Sequence, residues 1–193
     1  MRLNCKKQNT LLMGLAGNAD FMNIVLIGYR GTGKSVISRM LADILHCQRY
    51  SIDEEIVRKA GKSISEIVEQ EGWDRFREIE RKIVEKVAVE ARNSVIDCGG
   101  GVILDERNVA YLKCNSKAVL LISSLEKILE RIKDTNRPPI KGELSFEEEQ
   151  RQVISEREPK YRAAADCVFD TTYLKPRQAA IKIINYLKKK GWI

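Results

Sequence analysis

Two periods of apolar residues alternate along the chain. Asn23-Ile24-Val25-Leu26-Ile27 is a short β-branched run that stops at Gly28, the pattern of a strand buried on both faces. From Lys34 to Leu45 the period lengthens, with Val36, Ile37, Met40, Leu41 and Ile44 predicted on one helical stripe. A second strand position leads into Ser51, and 53–60 reads as a short helix closed by Gly61. Ser63 with Glu66 three residues on is a capping box, and the helical period runs on through Phe76, Ile79, Ile83, Val87 and Ala91. Further strands are predicted over 94–97, 118–122 and 167–169, and further helices over about 125–133, from Phe146 towards Ala165 with a disturbance at Pro159, and over 179–190. The stretch 134–145 holds Pro138, Pro139 and Gly142 without a sustained period, so it reads as a loop. Strands alternating with helices predict an α/β domain with a parallel sheet.

Composition narrows the possibilities. The 193 residues suit one domain, and 44% hydrophobic residues suffice for a core. No stretch approaches the roughly 20 apolar residues of a membrane span. The net charge of +7 fits anionic small molecules; without a dense basic block interleaved with aromatics, nucleic acid is not the expected partner. The five cysteines show no CxxC spacing, which argues against a metal site or a disulfide framework and for the cytoplasm. His46 follows a helical stretch and reads as structural. Residues 1–21 read as an extension or a misassigned start, with Met22 at the first strand.

The strongest local signal is Gly28-Tyr29-Arg30-Gly31-Thr32-Gly33-Lys34-Ser35, which matches GxxxxGK[ST] between a strand and a helix. Glycines let the backbone turn several N–H groups towards phosphate oxygens, and the following helix adds its positive end. Lys34 is placed for the β- and γ-phosphates of ATP and Ser35 for Mg²⁺. Arg30, Gly31, Thr32 and Gly33 complete the cradle.

Four later features bear on what faces the phosphate. In Ser51-Ile52-Asp53-Glu54-Glu55-Ile56, Asp53 follows a strand, on the ligand-binding side of an open sheet. There a carboxylate can take the proton of an attacking hydroxyl, or cap the helix that follows. In Gly72-Trp73-Asp74-Arg75-Phe76-Arg77-Glu78-Ile79-Glu80, Arg77 offers a fork for a carboxylate, or pairs with glutamates on a solvated face. Gly99-Gly100-Gly101 allows close approach to bare backbone, or makes a plain turn. Arg137, in Asn136-Arg137-Pro138-Pro139, and Arg157, in Glu156-Arg157-Glu158-Pro159-Lys160-Tyr161, are ligand arginines or surface charges.

In this order and spacing the segments resemble those of shikimate kinases, small members of the P-loop kinases, over about residues 22–190. The resemblance implies a P-loop NTPase fold of three layers, α/β/α, with a five-stranded parallel sheet. It adds substrate-binding helices over about 53–91 and a mobile lid over about 134–146. It implies ATP-dependent phosphorylation of the 3-hydroxyl of shikimate by a monomer. Asp53 would bind the hydroxyls and act as base, Arg77 and Arg157 would grip the carboxylate, and Gly99, Gly100 and Gly101 would line the acid. Arg137 would reach the phosphates from the lid. Arg131 and the Lys175-Pro176 region are candidates for the adenine. One position departs from the pattern: the family carries Asp-x-Asp where this chain has Ser51-Ile52-Asp53. The missing metal-shell acid is expected instead at Asp97, at the end of the neighbouring strand, through water; burial against backbone N–H groups is the competing reading of Asp97. Another P-loop kinase, for a nucleoside monophosphate or a sugar acid, and a nucleotide-gated regulatory protein are the alternatives.

Overall fold

The computed structural model describes residues 22–133 and 145–193. Residues 1–21 and nearly all of the expected lid, with Arg137, lie outside the described residues. The elements run β1 (Asn23–Ile27), α1 (Lys34–Leu45), β2 (Arg49–Ser51), α2 (Ile52–Ala60), α3 (Ile64–Glu90), β3 (Val95–Asp97), α4 (Glu106–Lys113), β4 (Ser116–Ile122), α5 (Leu125–Ile132), α6 (Phe146–Ala164), β5 (Cys167–Asp170) and α7 (Pro176–Lys189). The strands form one parallel sheet, as the alternating pattern predicted, and their order is β2-β3-β1-β4-β5.

Alternate side chains of the buried strands feed two cores, one on each face. Ile24, Leu26, Val95, Val119 and Leu121 pack against Ile37 and Leu41 of α1 and Ala180, Ile183 and Leu187 of α7. Val25, Ile27, Ile96 and Leu120 pack against Phe76, Ile83 and Val87 of α3 and Val153 and Tyr161 of α6. Each fully buried aliphatic contributes about 1.5–3 kcal/mol relative to an exposed one. Because both faces are covered, the strands read as continuous apolar runs rather than alternating ones.

Several boundaries differ from the sequence expectation. The stripe on α1 is rotated: Ile37, Ser38, Leu41 and Ala42 are buried, whereas Val36 and Ile44 are 43% and 37% exposed. The first turn of α1 faces the ligand cleft rather than the core, which frees Val36 from burial. Ser51, not Asp53, caps α2; its side chain accepts from the Glu54 N–H, and Asp53 lies inside the first turn. The Ser63/Glu66 box opens α3 as expected, and Gly72 (φ 80°, ψ 170°) breaks that helix into two segments. Pro159 leaves α6 continuous, because the carbonyl it leaves unpaired belongs to exposed Ser155 and can meet water. The short α4, capped by Asp105, was not anticipated; it carries too few apolar positions to show a period. His46 ends α1 in the left-handed region, φ 52°.

Candidate active site

Three adjacent strands deliver three loops to one end of the sheet. Ser51 pairs in register with Asp97, and Asp97 with Leu26. The phosphate loop after β1, Asp53 after β2 and the glycines after β3 therefore emerge side by side.

The phosphate loop is a backbone cradle. Gly28, Gly31 and Gly33 all have positive φ. Gly33 sits at the N-cap of α1 without a side chain to cap it, and the first turn carries no acid. The start of this helix is thus suited to an anion. The Thr32 hydroxyl donates to the Tyr29 carbonyl at 2.7 Å, and Lys34 Nζ donates to the same oxygen at 2.8 Å. From behind, the Thr171 hydroxyl donates to the Thr32 carbonyl at 2.9 Å and Arg131 to the Gly31 carbonyl at 3.0 Å. The open space over this loop is lined by Arg30, Gly31, Gly33, Lys34, Ser35 and Asp53, together with Gly99, Gly100 and Arg131. Ser35 is exposed at its mouth. Arg131, a candidate for the adenine, lines this cavity.

A second, smaller cavity lies on the other side of Asp53. Asp53, Arg77, Glu80, the three glycines, Arg157, Trp73 and Phe76 line it. Arg77 comes from α3, and its Nη1 donates to Glu80 Oε2 at 2.7 Å. The sequence allowed Arg77 to pair with a glutamate on a solvated face. It does pair with one, but Glu80 is fully buried, so the pair belongs to the cavity and not to the surface. Burial pushes the Glu80 carboxyl above its ordinary value, opposed by the Arg77 charge. Glu80 Oε1 is buried without a hydrogen-bond partner among the described residues, which leaves an acceptor for a ligand hydroxyl. Arg157 reaches in from α6 and donates to the Gly100 carbonyl at 3.2 Å; the Tyr161 hydroxyl donates to the same oxygen. Burial raises the Tyr161 phenol, which keeps it a neutral donor there.

The sequence reading missed Glu80 and Trp73 as parts of this cavity, and Tyr161 as the second donor to the Gly100 carbonyl. Glu80 had a signal, its position three residues after Arg77 on one helical face, but nothing local separates it from the other glutamates of α3.

Asp97 is 3% exposed and faces α1. Its Oδ2 accepts from Arg49 Nη2 at 3.0 Å and from the Ser38 hydroxyl at 3.3 Å. Ser38 also lies 3.1 Å from the Ser35 carbonyl. Arg49 extends the cluster to Glu54, the neighbour of Asp53, through contacts of 3.1 Å. One oxygen of the carboxylate is therefore held by a guanidinium and a hydroxyl rather than by backbone N–H groups. Among the described residues no group of three or more His, Cys, Asp or Glu is placed to hold a metal unaided, and the described cysteines are free thiols.

A phosphate cradle opening a helix, and an acidic and basic pocket sharing its wall, define a P-loop phosphotransferase for a small acceptor. The sequence profile described as shikimate kinase matches residues 30–188. A shikimate kinase of Syntrophus aciditrophicus is 36% identical over 178 residues, covering 86% of this chain and 91% of the relative. One from Caldanaerobacter subterraneus subsp. tengcongensis is also 36% identical, covering 88% and 98%. The solved shikimate kinase from Acinetobacter baumannii in complex with shikimate superposes with a TM-score of 0.83 at 32% identity, covering 88% of this chain and 94% of that one. The chain belongs to the shikimate kinase family.

Proposed function

We propose that the protein transfers the γ-phosphoryl group of ATP to the 3-hydroxyl of shikimate. One observation carries this reading beyond family membership: Arg30, Asp53, Gly99 and Gly100 line both the phosphate cavity and the acid cavity. A donor on one side and an acceptor on the other meet at Asp53.

In this reading the loop N–H groups and Lys34 hold the phosphates, with Lys34 exchanging the Tyr29 carbonyl for phosphate oxygen. Arg77 and Arg157 hold the acceptor's carboxylate as two charged forks, and the Glu80 Oε1 acceptor suits a ring hydroxyl. That anchoring presents another hydroxyl to Asp53, which orients it and takes its proton as the O–P bond forms and ADP leaves. Arg137, from the lid, is the further cation expected on the transferring group. Mg²⁺ would supply positive charge to the phosphate oxygens. The Ser35 hydroxyl, open to the cavity, fits as its protein ligand, and Asp97 fits as an acceptor for one of its waters. Asp97 lies beside Ser51 in the sheet, level with the position where the acid is missing.

The test is acceptor-dependent ADP release with shikimate, run beside a panel of nucleoside monophosphates and sugar acids. Wild type should turn over shikimate, and Asp53→Asn should lower kcat by about 10²–10⁴-fold. Turnover of a nucleotide with none of shikimate overturns the assignment. ATP binding without any acceptor-dependent ADP release would make the protein a nucleotide-gated switch instead.

A further inference from the structure

The Arg77 guanidinium is enclosed on several sides. Its Cζ lies 5.3 Å from the ring centroid of Trp73 and 4.9 Å from that of Phe76. The two rings meet edge to face, 5.6 Å apart at 89°. Glu80 holds one nitrogen. Phe76 is core, but Trp73 is only half-buried and lines the acid cavity. Its place there depends on the break at Gly72, whose φ of 80° and ψ of 170° lie in a region open essentially to glycine. An added Cβ at Gly72 would meet nothing within 4 Å, so glycine is required for the conformation and not for space. The break lets the second segment of α3 begin with Trp73 turned beside Arg77.

A guanidinium covered by aromatic faces loses water from its faces and keeps its N–H edge for ligands. Removing that water strengthens its attraction to a carboxylate, because the competing high-dielectric solvent is excluded. Trp73 therefore acts on the charged part of the acceptor through Arg77, and adds little to an uncharged ligand of the same shape.

We infer that Trp73 is a specificity-determining residue of the acceptor cavity, one that sets the preference for a carboxylated ring over its uncharged counterpart by covering and orienting Arg77. This rests on the reading of shikimate as acceptor. The test compares binding of shikimate and of its methyl ester by calorimetry, with a non-hydrolysable ATP analogue as the measure of an intact site. Trp73→Ala and Trp73→Leu should weaken shikimate about tenfold and change the ester and the ATP analogue by less than about twofold. Trp73→Phe, which keeps an aromatic face, should recover most of the loss. The chain has two tryptophans, and Trp192 lines a separate cavity. In a Trp192→Phe variant the emission of Trp73 should shift as shikimate saturates the site.

Equal weakening of acid and ester by Trp73→Leu would make Trp73 a packing residue and overturn the inference. So would unchanged binding of both, or a Trp73→Phe variant as weak as Trp73→Leu. If wild type binds neither acid nor ester while binding the ATP analogue, it is the acceptor reading that fails.

Discussion

At Gly28 an added Cβ would run into the backbone carbonyl of Leu121, and the residue's φ of 144° is itself unfavourable for any side chain. At Gly101 an added Cβ would run into the Arg77 guanidinium, the far end of a flexible side chain. The two glycines stand in the two halves of the same cleft, and their surroundings differ in kind. The donor half is made of main chain: glycine turns, the uncapped start of α1, and carbonyls pinned from behind by Thr171 and Arg131. The acceptor half is made of side chains brought from α2, α3 and α6 around a strip of bare backbone. A phosphate can be read by N–H groups that any sequence supplies once the loop is shaped. A hydroxylated acid needs particular side chains at particular places, and those can be altered without reshaping the chain.

The sharpest way to break this contrast is to make the same chemical change in both halves. Gly28→Ala should lower stability by more than about 2 kcal/mol, because strained φ and a backbone collision add. It should also abolish binding of an ATP analogue; urea unfolding and calorimetry read the two effects. Gly101→Ala is the milder change. Arg77 can swing aside only by leaving buried Glu80 without its partner, so the midpoint of thermal unfolding should fall, though by less than for Gly28→Ala, and the ATP analogue should bind as before. The KM for shikimate should rise by roughly 10–100-fold as the carboxylate loses its charged fork. If Gly101→Ala unfolds the protein as Gly28→Ala does, the acceptor half is as dependent on its backbone as the donor half.

The same contrast explains what could be read in advance. The phosphate loop is contiguous, and its glycines, Lys34 and Ser35 declare their chemistry within eight residues. The central strands β1, β3 and β4 are buried on both faces, so burial alone marks them, whereas the edge strands β2 and β5 are partly exposed. Residue type alone left Arg77, Arg157 and the glycine triplet with two readings each, and only their order and spacing along the chain favoured a ligand site. Glu80 stands among Glu78, Arg81, Lys82 and Glu85 on a charged helix. Only the packing of α3 over Gly99 makes it a buried acceptor, and that contact is long-range. Trp73 depends on a break at Gly72 that an isolated helical pattern does not reveal. The cap is Ser51, two residues before Asp53, and a three-residue strand gives little period to locate that boundary. The stripe on α1 was misjudged by the same kind of gap, since the period cannot say that the first turn faces a ligand.

The smallest effect is expected at Asp97, which pairs in register with Leu26 of the strand that feeds the phosphate loop. Its carboxylate lies in register with Ser51 and is held by Arg49 and Ser38. Asparagine keeps the size of the side chain and an oxygen that can still accept from Arg49, so Asp97→Asn should fold normally; it removes only the charge. If that charge helps hold the hydration shell of Mg²⁺, the Mg²⁺ concentration for half-maximal turnover should rise about tenfold. The Mg²⁺ dependence of ATP binding, followed by calorimetry, should move with it. Restoring an acid at the neighbouring strand, Ser51→Asp in the Asp97→Asn background, should reverse both shifts. A variant that loses thermal stability while its Mg²⁺ dependence stays fixed would make Asp97 only the partner of Arg49. The donor half would then depend on Ser35 and its backbone for the metal, and the contrast with the side-chain-built acceptor half would be wider still.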